Sequence, residues 1–107
     1  MEIDISTIQG LAGKDRIAFK KHSIIRMHER NVSVDEVREV LIRGEIVEVY
    51  TETRPLPCCL VLGFRTEKDP VHVVVAVDVS EQMLWVITVY KPSKNEWDGA
   101  FKRRMGS

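Results

Sequence analysis

The sequence predicts an α+β domain with two N-terminal helices, a four-stranded antiparallel sheet and a short C-terminal helix. Apolar residues recur at helical spacing up to Gly44, and beyond it they follow the two-residue period of strands. Short turns separate those strands, which is typical of an antiparallel meander. The 107 residues suffice for one domain, 1–107. In it we expect residues 1–16 to form an arm or a short helix, and residues 17–19 to form a short strand or the lead-in to a helix.

Both predicted helices have recognisable ends. The first spans about Lys21–Arg30 and stops at Asn31, a residue type that tolerates the left-handed conformation. The second begins at Ser33, which has the spacing of a capping box with Glu36. Gly44 is a typical helix stop and ends it.

Four strands follow, and they are dense in β-branched residues. Pro55 and Pro57 separate the first strand from the second, because proline does not fit the middle of a sheet. Turns at 67–70 and 80–82 separate the others. The predicted strands are 46–50, 59–65, 71–79 and 84–90.

A short helix is expected after Pro92, which ends the last strand. Ser93 and Glu96 repeat the capping-box spacing and would start that helix. Trp97 and Phe101 are four residues apart, so they would pack one face of it onto the sheet.

The formal net charge is zero, which argues against a uniformly basic surface for nucleic acid. The charges are nevertheless segregated along the chain. Residues 14–43 hold eight basic and five acidic residues, 44–80 hold three and six, and 81–107 hold five and three. A neutral protein with basic ends and an acidic middle can still present one positive face, provided that both ends fold to the same side.

The chain has no run of about 20 apolar residues and no apolar leader, so we expect neither a membrane span nor secretion. Cys58 and Cys59 are adjacent, and side chains of adjacent strand residues point to opposite faces. An ordinary disulfide between them is therefore not expected, and they lack the spacing of a zinc site. We interpret them as free thiols of a cytoplasmic protein.

The first helix carries His22, Arg26 and Arg30 on one face, at i, i+4 and i+8. Arginine offers a bidentate fork to phosphate, and histidine carries a proton near neutral pH. This stripe is a candidate phosphate site. The alternative is a solvated helix face in which an arginine pairs with Glu29 or with acids of the sheet.

On the third strand, valines occupy one face and His72 lies on the other. His72 would therefore lie on the more open side of the sheet. If the third and fourth strands form a simple hairpin, Tyr90 lies near His72. A lone strand histidine is more often structural than catalytic. The pair gains interest only if other polar groups converge on it.

Basic residues at the end of the chain, Lys91, Arg103 and Arg104, would contact phosphates or simply solubilise the terminus. The three histidines have no metal-binding spacing, and glycine-rich phosphate loops and nucleophile elbows are absent from the sequence. We therefore expect no metal and no cofactor, which leaves acid–base and electrostatic chemistry or simple binding.

Several strings resemble the domain-of-unknown-function 4258 family of small prokaryotic proteins. They are His22 to Ser33, then Glu36-Val37, Gly44-Glu45-Ile46 and Tyr50, Pro55-Leu56-Pro57, Leu60 to Gly63, His72-Val73-Val74, and Ile87 to Tyr90 with Pro92 and Trp97. The resemblance covers the core at about 17–104. The order of elements is also similar to ribonuclease toxins of the RelE/BrnT type, which is fold analogy.

The resemblance implies the toxin of a type II toxin–antitoxin module, partnered by a zinc-finger antitoxin of the YgiT/MqsA kind. Such a toxin would cleave RNA without metal by acid–base chemistry. The implied catalytic set is His22, Arg26, Arg30, His72 and Tyr90. Residues Lys91, Arg103 and Arg104 would hold the RNA backbone.

Two other functions fit the same residues. A non-catalytic module could bind protein or nucleic acid through an apolar patch or an open edge of the valine-rich sheet. A small-molecule enzyme could use His72 and Tyr90 in a pocket.

Overall fold

The computed structural model describes residues 3–50, 52–53, 55–93 and 96–104. Three helices and five strands form an α+β fold whose single sheet has the order β1-β5-β4-β3-β2. The helices are α1 (Ile5–Gly13), α2 (Lys21–Arg30) and α3 (Val34–Arg43). The strands are β1 (Ile17–Phe19), β2 (Glu45–Tyr50), β3 (Cys58–Phe64), β4 (Pro70–Asp78) and β5 (Met83–Tyr90).

The predicted ends of α2 and α3 are confirmed. Asn31 closes α2 in the left-handed conformation, with φ of 57°. Ser33 and Glu36 form the capping box of α3, because each side chain accepts a hydrogen bond from the other residue's backbone N–H. These two caps hold the connection from α2 to α3 to a few residues.

The sheet differs from the prediction in number and direction of strands. β2 to β5 are antiparallel as expected, but β1 adds a fifth strand that runs parallel to β5 at one edge. The short-strand alternative for residues 17–19 is thus confirmed, whereas the four-stranded antiparallel sheet is wrong. A strand of three residues shows no measurable period, so the sequence pattern does not assign it to the sheet. Residues 1–16, for which an arm or a short helix was expected, include the helix α1.

The predicted C-terminal helix is wrong for the residues that the structure describes. Residues 96–104, called here the C-terminal strap, form turns and a single bridge between Trp97 and Arg104. The Asp98 carboxylate accepts hydrogen bonds from the backbone of Ala100 and Lys102, which competes with helical bonding. Phe101 has a φ of 61°, outside the right-handed helical region. Residues 94 and 95 of the predicted helix lie outside the described part.

Both faces of the sheet bury apolar side chains. On the helix-side face, alternate valines of β4 such as Val73 and Val75 pack with Met27 of α2 and Leu41 of α3. On the outer face, the C-terminal strap inserts Trp97 and Phe101 against Leu60, Leu62 and Val74. The strap therefore does the packing that the sequence assigned to a helix.

The two cysteines are free and lie on opposite faces of β3. Cys59 is buried on the helix-side face, and burial raises the pKa of its thiol to about 12. Cys58 is half-buried. Among the described residues, no helix has the length and apolar character needed to cross a bilayer.

A close approach between β3 and α3 generates a test of this packing. A Cβ at Gly63 would lie 2.8 Å and 2.9 Å from the two methyl groups of Val40. Gly63→Ala should therefore destabilise the fold by about 1–3 kcal/mol, measured by urea unfolding. Gly10→Ala is the matched control, because a Cβ there meets nothing within 4 Å and alanine favours the helix. Equal stability of the two variants would contradict the packing.

Candidate active site on the outer face of the sheet

His72 lies on the outer face near the start of β4, the central strand of the sheet, and is completely buried. Its Nε2 is 2.9 Å from the backbone carbonyl oxygen of Phe101, and its Nδ1 is 3.2 Å from the hydroxyl of Tyr90. A carbonyl only accepts, so Nε2 must carry the proton. In the neutral ring, Nδ1 then accepts the hydrogen bond that the Tyr90 hydroxyl donates.

The predicted proximity of His72 and Tyr90 is confirmed, since the two residues pair directly across β4 and β5. The expectation that His72 faces an open side is wrong, because the C-terminal strap covers it. Burial lowers the pKa of His72, against a smaller opposing effect of the Phe101 carbonyl. Burial likewise raises the pKa of Tyr90. Near neutral pH, both groups are therefore uncharged in the folded protein.

A second polar group centres on Glu48 of β2. The Arg104 guanidinium donates through Nε to one carboxylate oxygen at 2.9 Å and through Nη2 to the other at 3.2 Å. The Tyr50 hydroxyl donates to the same carboxylate. This bidentate geometry fixes the guanidinium plane at the edge of the strap.

The hydrogen bonds at Glu48 set its charge and that of its neighbours. Burial raises the pKa of the carboxyl, but hydrogen bonds from Tyr50 and Arg104 outweigh it, so the pKa lies below the ordinary value. Burial together with the Glu48 hydrogen bond raises the pKa of Tyr50 to about 12. The site thus holds a fixed carboxylate, a neutral phenol and a cation.

Trp97 joins the two polar groups. Its ring meets the His72 imidazole edge-on at 4.4 Å between centroids, and the Arg104 guanidinium carbon lies 4.7 Å from the same ring centroid. The Glu48 charge raises the pKa of both His72 and Tyr90, and the Arg104 charge lowers the pKa of both. Five residues therefore form one outer-face cluster: Glu48, Tyr50, His72, Tyr90 and Arg104.

Sequence reasoning missed Glu48 and Tyr50 because of a β-bulge. Ile46 pairs with Val61 on the helix-side face, whereas Glu48 pairs with Leu60 on the outer face, so the register shifts between them. Simple alternation would have placed Glu48 beside Ile46 in the apolar core. Bulges of this kind re-aim side chains and are frequent next to functional sites.

The predicted helix stripe lies elsewhere. α2 packs on the helix-side face through Met27, so the sheet lies between this helix and His72. Arg26 donates to His22 Nε2 at 3.4 Å and to Glu29 at 2.8 Å, and Arg30 is exposed. The structure brings His72 and Tyr90 together, but it does not bring the stripe to them.

The three residues that were predicted to contact the RNA backbone also lie in different surroundings. Lys91 forms an ion pair with Asp69 at 3.5 Å, and Arg103 is exposed on the strap. Arg104 is bound to Glu48 in the outer-face cluster, yet 58% of its side chain remains exposed. Among the described residues, no group of three His, Cys, Asp or Glu side chains is arranged to hold a metal ion.

The fold and the cluster define a small α+β protein with a histidine–tyrosine pair and an arginine held on one sheet face. The family model of the domain of unknown function (DUF4258) matches residues 19–91, about two thirds of the chain. The chain belongs to this family, as the resemblance predicted. No curated protein and no solved structure matches it.

The buried neutral His72 predicts a pH dependence of stability. Its pKa in the folded protein lies below the ordinary 6.5, so the unfolded chain binds more protons as the pH falls. The free energy of unfolding should therefore be greatest above pH 6.5 and decrease as the pH falls below that value. Urea unfolding at a series of pH values measures this slope. His72→Gln should flatten it, and an unchanged slope in that variant would contradict the assignment.

Proposed function

We propose that this protein is the toxin of a type II toxin–antitoxin module and cleaves RNA without metal by acid–base chemistry. The observation that carries the proposal is the outer-face cluster. It places a tyrosine, backed by a neutral histidine, on the same face as an exposed arginine. These are the groups that cleavage by a ribose 2′-hydroxyl needs: a proton carrier and a cation for the charged phosphorus centre.

The proton path runs through Tyr90, because His72 is buried. The 2′-hydroxyl would give its proton to the Tyr90 oxygen while the Tyr90 proton moves to His72 Nδ1. The 2′-oxygen then bonds to phosphorus, the bond to the 5′-oxygen breaks, and the proton returns through Tyr90 to that leaving oxygen. The products are a 2′,3′-cyclic phosphate and a free 5′-hydroxyl. Tyr90 is the catalytic residue here, and His72 is a positioning residue that stores the proton.

Arg104 would stabilise the charge that develops on the phosphate oxygens. Its bidentate bond to Glu48 orients the guanidinium in advance, which avoids reorganisation during the reaction. Glu48 and Tyr50 are positioning residues for this arginine. Of the other predicted residues, Arg103 on the strap and Lys91 just after β5 fit contacts to the RNA backbone. The stripe of His22, Arg26 and Arg30 would contact RNA on the helix side, away from the reacting phosphate.

The proposed partner is a zinc-finger antitoxin of the YgiT/MqsA kind, which would suppress the activity. Expression of the chain should arrest growth, and co-expression with an adjacent gene of that class should restore it. Growth that is unaffected by expression would argue against a toxin.

The cleavage test uses a labelled single-stranded RNA in the presence of EDTA, with the cyclic phosphate end as readout. Tyr90→Phe removes the hydroxyl, and Arg104→Lys removes the bidentate fork. Each should lower kcat/KM by about 100-fold. Arg43→Lys is the matched control, because Arg43 also pairs with a glutamate, on the exposed side of α3. It should leave the rate unchanged.

A substrate with 2′-deoxyribose at the scissile position should resist cleavage, since its nucleophile is missing. RNA that stays intact with the wild-type protein would contradict the enzymatic proposal. Tight RNA binding without any cleavage would favour the non-catalytic module instead. Cleavage that survives in Tyr90→Phe would show that another residue carries the proton.

A further inference from the structure

The C-terminal strap covers only one end of the outer face and leaves a cavity at the other. This cavity has a volume of about 330 Å³. Ala76 and Trp85 line it, and they pair with each other across β4 and β5. The remaining wall is largely apolar, formed by Pro55, Leu56, Cys58 and Ile87, together with Lys20.

Trp85 and Lys20 give the cavity a specific chemistry. The Lys20 ammonium lies 4.9 Å from the centroid of the Trp85 ring. Within the described residues, no carboxylate forms an ion pair with Lys20. The first turn of α2, which follows Lys20, contains no acidic residue. The cavity therefore joins an aromatic surface to a positive charge that no carboxylate of the described residues neutralises.

We infer that this cavity binds one base of a single-stranded nucleic acid, which stacks on Trp85 while its phosphate contacts Lys20. An aromatic platform beside a cation is the usual way in which proteins hold single strands without reading their sequence. A neutral apolar peptide would bring no negative charge to Lys20, so charge favours the nucleotide. The apolar remainder of the wall would exclude water from the bound base.

The cavity lies on the same sheet face as the outer-face cluster. Ala76 and His72 are four residues apart on β4, which corresponds to roughly 13 Å at the rise of a β-strand. A strand bound at Trp85 would thus continue towards Tyr90 and Arg104 over a few nucleotides. This continuity rests on the proposed ribonuclease function, whereas the base-binding site itself does not.

Binding is tested with a fluorescently labelled oligonucleotide of 2′-O-methyl RNA, which cannot be cleaved through its 2′-oxygen. Anisotropy gives its Kd for the full chain. Trp85→Ala should raise Kd at least about fivefold, because the stacking platform is lost. Lys20→Gln should raise Kd and reduce its dependence on salt, because one phosphate contact is lost.

Matched controls are Phe64→Ala, an exposed aromatic residue at the end of β3, and Lys14→Gln, a lysine that lines a different cavity beside α1. Both should leave Kd within twofold of the wild type, and circular dichroism confirms that each variant is folded. A folded Trp85→Ala with unchanged Kd, or a wild-type protein that binds no oligonucleotide, would overturn the inference. Loss of cleavage in Tyr90→Phe with unchanged Kd separates the two proposals, and cleavage without Trp85-dependent binding would refute only this one.

Discussion

The constraint on which the rest of the structure depends is the burial of β4 on both faces. The strand lies in the middle of the sheet, so its backbone bonds on both sides to β3 and β5. Its odd-numbered valines need cover from one layer, and His72, Val74 and Ala76 need cover from another. The helices supply the first layer, and the C-terminal strap supplies only part of the second. That partial cover divides the outer face into a polar cluster under the strap, in which Arg104 stays exposed, and an open cavity beyond it.

Polar side chains enter the buried cluster only because each finds a partner. His72 uses both ring nitrogens, and the Glu48 carboxylate receives bonds from Tyr50 and Arg104. Within the described residues, no buried side-chain nitrogen or oxygen lacks a hydrogen bond. An unsatisfied group there would cost about 1–3 kcal/mol. Because each of these buried polar atoms has a partner, histidine and tyrosine are accommodated on a sheet face that otherwise buries apolar side chains.

The elements with strong local signals could be predicted from the sequence, and those set by long-range pairing could not. The Ser33 cap, the Asn31 stop and the valine alternation of β4 are local, and the structure confirms them. The pairing of Tyr90 with His72 followed from a hairpin, although a register shift in β5 is what places Trp85 and Tyr90 on one face. The position of Glu48 on the outer face could not be predicted, because the bulge of β2 depends on its partner strand. The strap could not be predicted either, because the Asp98 turn outweighs a helix-like spacing.

The family match covers the core of the fold, whereas the C-terminal strap lies outside the matched range. Residues 19–91 contain α2, α3, β2 to β5 and therefore His72, Tyr90 and Glu48. The strap lies beyond that range, yet it supplies the Phe101 carbonyl that fixes the His72 tautomer and the Arg104 fork that meets Glu48. The matched core thus holds the His72–Tyr90 pair. The strap covers His72 and adds the Arg104 guanidinium. If the strap moved away, His72 would gain solvent, its pKa would rise towards the ordinary value, and the cluster would lose its arginine. The ordered strap is therefore what keeps the histidine neutral beside a fixed cation.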